Sequence, residues 1–197
     1  SYDLERRPIG ERNVSGASDI RATDDQMPLS EAIDDDTEEG ARLRRELGRF
    51  IANSPRGDEF RTRLPGLELG YSYEGSPLCV PDGSEPVPNN PTTYVPSARP
   101  GGRAPHARLS DGRSILDLFG RGFTLLRLGG PAPDTAALEH AAGHRRLPLQ
   151  VVDLDQPKIA ELYARRLVLV RPDGHVTWRA DDLPPDPQAL LDRIAGF

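Results

Sequence analysis

Four histidines, one cysteine and a cluster of arginines carry most of the chemistry this 197-residue chain could offer. Arg99, Arg103 and His106 stand close together in "RPGGRAPH". Guanidinium groups at this density can grip a phosphate or carboxylate through paired hydrogen bonds. They can equally hold backbone carbonyls and acidic side chains where a proline-stiffened loop joins a domain. The setting favours the second role, a structural latch made by Arg99, Arg103 and His106, with Asp111 at the following turn. Ser97, His106 and Asp111 are the residue types of a hydrolase triad, but no G-x-S-x-G nucleophile elbow occurs to support one. His140 and His144 are spaced i, i+4, as a helical metal pair would be. Gly143 is expected to end that helix first, and no Asp, Glu or Cys follows at ligand spacing, so no metal ligands are assigned. His175 follows a turn and is expected at the surface. Cys79, in "SPLCV", has no sequence neighbour that would lower its pKa and is expected as a small buried hydrophobe.

A single cysteine leaves no internal disulfide and no C-x-x-C pair, so thiol–disulfide chemistry is excluded by composition. Neither a Walker lysine loop nor a strand–turn–helix G-x-G-x-x-G is present. No catalytic and no cofactor-binding residue is therefore assigned. The net charge of −6 argues against general nucleic-acid affinity. No apolar run approaches the roughly 20 residues of a membrane helix, and "SYDLERRPIGERNV" is too charged for a secretory leader. A cytoplasmic protein is expected, without membrane or nucleic-acid partners.

The elements that must position these groups fall into three stretches. Residues 1–65 are polar and interrupted. "SYDLERRPIGERNV" reads as a helix that Pro8 ends or kinks, followed by a linker through "SDIRATDDQMPLSEAIDDD". A helix is expected from about Thr37 to Asn53, with Leu43, Leu47 and Phe50 on one stripe and Glu38 paired with Arg42. The acidic residues 34–36, 38 and 39 suit the positive end of that helix better than a metal. Residues 66–105 are rich in Pro, Gly, Ser and Asn. "LELGYSY" alternates weakly, as a short strand would, and the prolines after it forbid helix and central strand alike.

Residues 106–197 alternate short apolar runs with helical patterns. Asp111-Gly112 predicts a hairpin turn. "FTLLRL" reads as a strand buried on both faces, and "LPLQVVDL" as a second buried strand. "DTAALEHAAG", "QPKIAELYA" and "DPQALLDRIAGF" read as helices, and "RRLVLVRPDGHVTWRA" as two strands about a Pro-Asp-Gly turn. The order is a hairpin, then β-α-β-α-β-β-α. A βαβ unit followed by ββα predicts an α/β, thioredoxin-like domain, a central mixed sheet flanked by helices. It is preceded by N-terminal helices and a Pro-rich extended segment.

The stretches "SYDLERRPIGERNV", "LGYSYEGSPLCVPDG", "YVPSARPGGRAPHARLSDGRSILDLFGRGFTLL" and "LVLVRPDGHVTWR" together resemble the C-terminal part of the FAD-dependent aromatic hydroxylases. These are the single-component flavoprotein monooxygenases acting on phenols and aromatic polyketides. The resemblance implies that 1–65 is the helical tail of a missing FAD domain plus a linker. It implies that 66–105 is a connecting segment and 106–197 a thioredoxin-like domain without redox cysteines. It implies FAD and NAD(P)H for a full-length parent and none in this chain. The implied partners are the missing FAD and substrate domain and a second copy in a homodimer. On this resemblance the chain is a fragment, inactive alone, that stabilises the catalytic part, and residues 1–60 in isolation are mobile or borrow burial from a neighbour. The alternative readings are a free-standing thioredoxin-like interaction module without redox activity and a small hydrolase using His106.

Overall fold

The computed structural model describes residues 2–25, 29–53 and 64–196. Its centre is a four-stranded sheet in the order β2-β1-β3-β4, built from β1 (Phe123–Leu128), β2 (Leu149–Leu154), β3 (Leu167–Val170) and β4 (Val176–Ala180). β1 and β2 run parallel, joined through helix α4 (Ala136–His144). β3 lies antiparallel to β1 and to β4. Helices α5 (Pro157–Tyr163) and α6 (Pro187–Ala195) follow β2 and β4. The mixed sheet flanked by helices is the α/β architecture expected from the strand and helix order.

"FTLLRL" is nearly continuous in apolar residues because both of its faces are covered. Phe123 and Leu125 join Leu138, Leu169, Trp178, Leu191 and Ile194 in a core shared with α4 and α6. Leu126 and Leu128 join Ile115, Ile159, Tyr163, Val168 and Val170 on the opposite side, under α5. Between Leu169 and Val170 the register with β4 slips, so Thr177 is an extra residue in the pairing, and such a bulge turns the strand locally.

Several local expectations change. Helix α1 (Tyr2–Asp24) continues past Pro8 and into the first of the residues expected as linker. Its inner stripe is Glu5, Ile9, Arg12 and Gly16, the first buried and the others half-buried. Arg12 donates to the carbonyls of Gly66 and Leu67 and to Asn89. Tertiary anchoring of this kind supports a helix whose own apolar face is slight. Helix α2 (Glu38–Ala52) begins on Thr37, whose hydroxyl accepts from the Gly40 amide. Its Arg42 pairs with Glu39 and Glu46, not with Glu38 as expected. The helix ends at Ala52 with Asn53 as its C-cap, where the sequence places its end.

"LELGYSY" does not form a strand. Residues Pro65–Leu69 are helix α3, with Pro65 in the first turn. Gly66 packs so tightly that a Cβ there would lie 1.8 Å from the Asn90 carbonyl oxygen. The Asp111-Gly112 turn forms, but the hairpin is a single bridge between Arg108 and Ser114. "ILDL" then makes one 3₁₀ turn, because Ser114 and Asp117 cap it reciprocally. Helix α4 does not stop at Gly143. The left-handed residue after it is Arg146, with φ 51°, and the helix reaches His144. No helix among the described residues is long and apolar enough to cross a membrane.

Leu169 is fully buried at the centre of the sheet. Leu169→Ala is expected to lower stability by about 2–5 kcal/mol, read as a shift of the urea midpoint without a change of slope.

Candidate functional site

The polar chemistry of the molecule gathers where α1, the extended segment and the outer strand β4 meet. The extended segment completes the sheet edge. Val80 donates its amide to the Thr177 carbonyl, Gly101 to Val176, Val176 back to Gly102, and Ala104 to Gly174. Tyr73 donates in turn to Gly101, and Ser72 and Gly102 form a bridge. A strand edge that would otherwise present unpaired amides and carbonyls is covered by the chain's own backbone.

Arginines from the sheet domain fix this covering in place. Arg179 reaches Asp82 at 2.6 Å, with the two side chains only 8% and 7% exposed. It also donates to the Tyr163 carbonyl and the Ser84 hydroxyl. Burial alone would raise the Asp82 pKa. Hydrogen bonds from the Ser84 hydroxyl and amide and from Arg179 outweigh it and pull the carboxyl down to about 2. Arg193 of α6 donates to the carbonyls of Pro77 and Cys79, and the Thr177 hydroxyl to that of Leu78. The Tyr163 hydroxyl donates to Pro105 at 2.8 Å, and burial pushes the Tyr163 pKa upward.

A second buried pair ties α1 to the same place. Arg171 contacts Glu5 at 2.6 Å and Asp173 at 2.9 Å, and the Ser76 hydroxyl donates to Glu5. Burial acts to raise the Glu5 pKa, yet the bonds from Arg171 and Ser76 leave it below the ordinary carboxylate value. Beside this pair lies His175, expected at the surface but 2% exposed. The rings of Tyr71 and Tyr73 cover it at 5.2 and 4.3 Å. Arg171 stands 5.3 Å from the centre of the Tyr73 ring, within cation–π range. Burial pushes the Tyr73 phenol up to about 12. Cys79 is buried, as expected, and burial pushes its thiol up, which makes it a poor nucleophile.

The four residues assigned to a latch do not converge. Arg99 donates to the Ser84 carbonyl and pairs with Glu74 at 3.0 Å, inside the extended segment. Arg103 pairs through its backbone with His175 and lines a shallow hollow with Tyr71, Tyr94 and Arg99. His106 is exposed. Asp111 pairs locally with Arg113 at 2.7 Å. The buried contacts are made instead by Asp82, Arg171, Arg179, Arg193 and Glu5. Asp82 and Arg179 are 97 residues apart in sequence, and no local motif signals that they meet. Ser97, His106 and Asp111 show no triad hydrogen bonds. No group of three His, Cys, Asp or Glu residues among the described residues is placed to hold a metal.

This arrangement, a sheet domain clasping a preceding extended segment, has counterparts of known family. The sequence pattern of the "aromatic-ring hydroxylase, C-terminal" family matches residues 97–196. The chain belongs to that family. FAD-dependent monooxygenase apdD of Emericella nidulans is 34% identical over 212 residues, covering 100% of this chain and 33% of that protein. The 4-methyl-5-nitrocatechol 5-monooxygenase of a Burkholderia species is also 34% identical, over 97% of this chain and 33% of its own length. The chain thus spans about a third of the length of these relatives. Among solved structures, RebC soaked with chromopyrrolic acid and holding 7-carboxy-K252c superposes with a TM-score of 0.82. It is 37% identical over 99% of this chain and 36% of RebC. The flavin-dependent monooxygenase PieE, in complex with FAD and substrate, gives a TM-score of 0.74 at 30% identity. Both superpositions include α1 and the extended segment, since they take in nearly the whole of this hydroxylase C-terminal region.

Two outcomes follow from the buried pairs. Asp82→Asn leaves Arg179 buried against a neutral amide and is expected to cost about 3–5 kcal/mol. The native Asp82 pKa lies below its unfolded value, so its stabilisation is full above about pH 4 and lost as pH falls toward 2. That loss is of order 2 kcal/mol, and the variant should lack it when urea midpoints are followed across this range. Glu5→Ala should loosen the first turns of α1 without unfolding the sheet, seen as faster proteolysis ahead of Arg12 while Trp178 fluorescence stays native.

Proposed function

We propose that this chain is the C-terminal structural domain of an FAD-dependent monooxygenase that hydroxylates aromatic, phenolic or polyketide, substrates. In this reading it is a thioredoxin-like scaffold without redox cysteines. Its task is to hold α1 and the extended segment in the position that the flavin-binding part of the parent requires. The observation that carries this is the Glu5–Arg171–Ser76 contact, which locks α1 to the sheet domain on one side. On the same helix Tyr2, Leu4 and Val14 are left 78%, 62% and 68% exposed. A helix anchored through buried charge yet showing apolar residues to solvent has the form of a junction between two parts.

FAD and NAD(P)H, when bound by the parent, would supply the redox chemistry of hydroxylation. One turn that could be expected to receive the flavin's pyrophosphate does not suit it. The turn after β1, "LGGPAPD", is glycine-rich and leads into α4, the setting in which a helix N-terminus would receive a phosphate. In this turn Asp134 already accepts from the Ala136 amide. The Pro131 and Pro133 carbonyls are taken by Arg166 and Arg127. Arg127 is itself paired with Asp153 at 2.6 Å. The Asp134 carboxylate thus already takes an amide at the start of α4 that a phosphate would otherwise use.

The test is a titration of this chain with FAD, with and without the separately produced flavin-binding part of its parent. The chain alone is expected to leave the flavin spectrum unchanged. The two parts together are expected to form a complex that binds FAD and oxidises NAD(P)H when given a phenolic substrate. Stoichiometric flavin binding by this chain alone would contradict the proposal. So would failure of the two parts to associate, which is the result a free-standing interaction module would give.

A further inference from the structure

We propose that His140 and His144 form a two-imidazole chelating site for a late first-row divalent cation of square-planar or octahedral preference, the class of Ni²⁺ and Cu²⁺. The sequence predicts that Gly143 ends the helix between them, and it offers no Asp, Glu or Cys at ligand spacing. The helix instead runs to His144 and hands the left-handed position to Arg146. Both imidazoles then share one face of α4. Their Nε2 atoms stand 3.0 Å apart, with the ring centres at 4.5 Å and the planes crossed at 76°.

That separation favours one coordination geometry. Two nitrogens bound at about 2.0–2.1 Å to one ion stand about 2.9 Å apart when they are cis on a square-planar or octahedral centre. On a tetrahedral centre the same bonds place them about 3.4 Å apart. The observed 3.0 Å lies close to the cis value. Two side chains then meet the ion without moving the backbone, and water completes the coordination.

The surroundings permit it. Both histidines are exposed, which gives an ion a path of entry. They line an open hollow of about 530 Å³ between α4 and the start of α6, together with Ala137, Asp186 and Gln188. Asp186 adds negative charge, and its Oδ1 accepts from the Ala189 amide, which fixes it in place. The one nearby cation, among the residues lining the hollow, is Arg145, and its guanidinium is paired with Asp192 at 2.6 Å. The competing account is that the rings make only the N–H···N hydrogen bond that this distance also fits, and that no ion displaces it.

Calorimetric titration of the untagged chain with Ni²⁺, and separately with Zn²⁺, distinguishes the two. One Ni²⁺ per chain is expected, bound more tightly than Zn²⁺. The thermal midpoint should rise, because the ion binds the folded helix and not the unfolded chain. His140→Ala and His144→Ala should each weaken Ni²⁺ binding roughly tenfold or more, and both should leave the metal-free urea midpoint unchanged, since the side chains are exposed. Ni²⁺ binding that survives in the double variant would overturn the site. Absence of binding by the unaltered chain at micromolar ion would do the same. Zn²⁺ binding as tight as Ni²⁺ would overturn the cis geometry.

Discussion

Arg179 and Asp82 meet at 2.6 Å with almost no exposed surface on either side chain, and much of the molecule is arranged around keeping them together. Removing two charges from water costs several kcal/mol for each ion, and their attraction offsets this only when the remaining hydrogen-bonding capacity is satisfied. Here it is. Asp82 accepts from Ser84 as well as Arg179, and Arg179 also holds the Tyr163 carbonyl at the end of α5. One guanidinium therefore joins the outer strand, a helix end and the extended segment. If any of the three moved away, a buried charge would be left unpaired.

The rest of the assembly follows from this fixing of the extended segment. Held at residues 78–84 and 99–105, the segment pairs with β4 and covers its edge. With that edge covered, Tyr71 and Tyr73 lie over His175, and Ser76 and Arg171 are positioned to receive Glu5. Helix α1 is thus the last link of a chain of buried polar contacts that begins at the sheet. Under the proposed function, α1 leads from there toward the flavin-binding part of a parent.

The sheet domain was largely legible in the sequence, and the physical reason is local. "FTLLRL", "LVLV" and the helical stripe of Leu190, Leu191 and Ile194 carry their periodicity within a few residues, and burial on the expected faces follows. What failed was tertiary. Pro8 does not end α1, because Glu5 and Arg12 anchor the helix from outside it. "LELGYSY" is not a strand, because Gly66 and Leu67 are held against residues 90–93. His175 looked exposed because a turn precedes it, and the rings that bury it lie about a hundred residues earlier. The arginine-rich stretch at 99–106 drew attention by density alone. Arg99 does fasten the segment, but the decisive partners, Asp82 with Arg179 and Glu5 with Arg171, are isolated residues in unremarkable surroundings.

Its backbone pairing with β4 and the Asp82–Arg179 contact make the extended segment an integral part of the folding unit. Native-state amide exchange tests this most directly, by comparing Val80, Gly101 and Ala104 with Leu169 at the sheet centre. Exchange of all four through one global opening, with equal free energies and equal dependence on denaturant, is the predicted result. Exchange of Val80, Gly101 and Ala104 through a separate opening of low energy, while Leu169 stays protected, would contradict it.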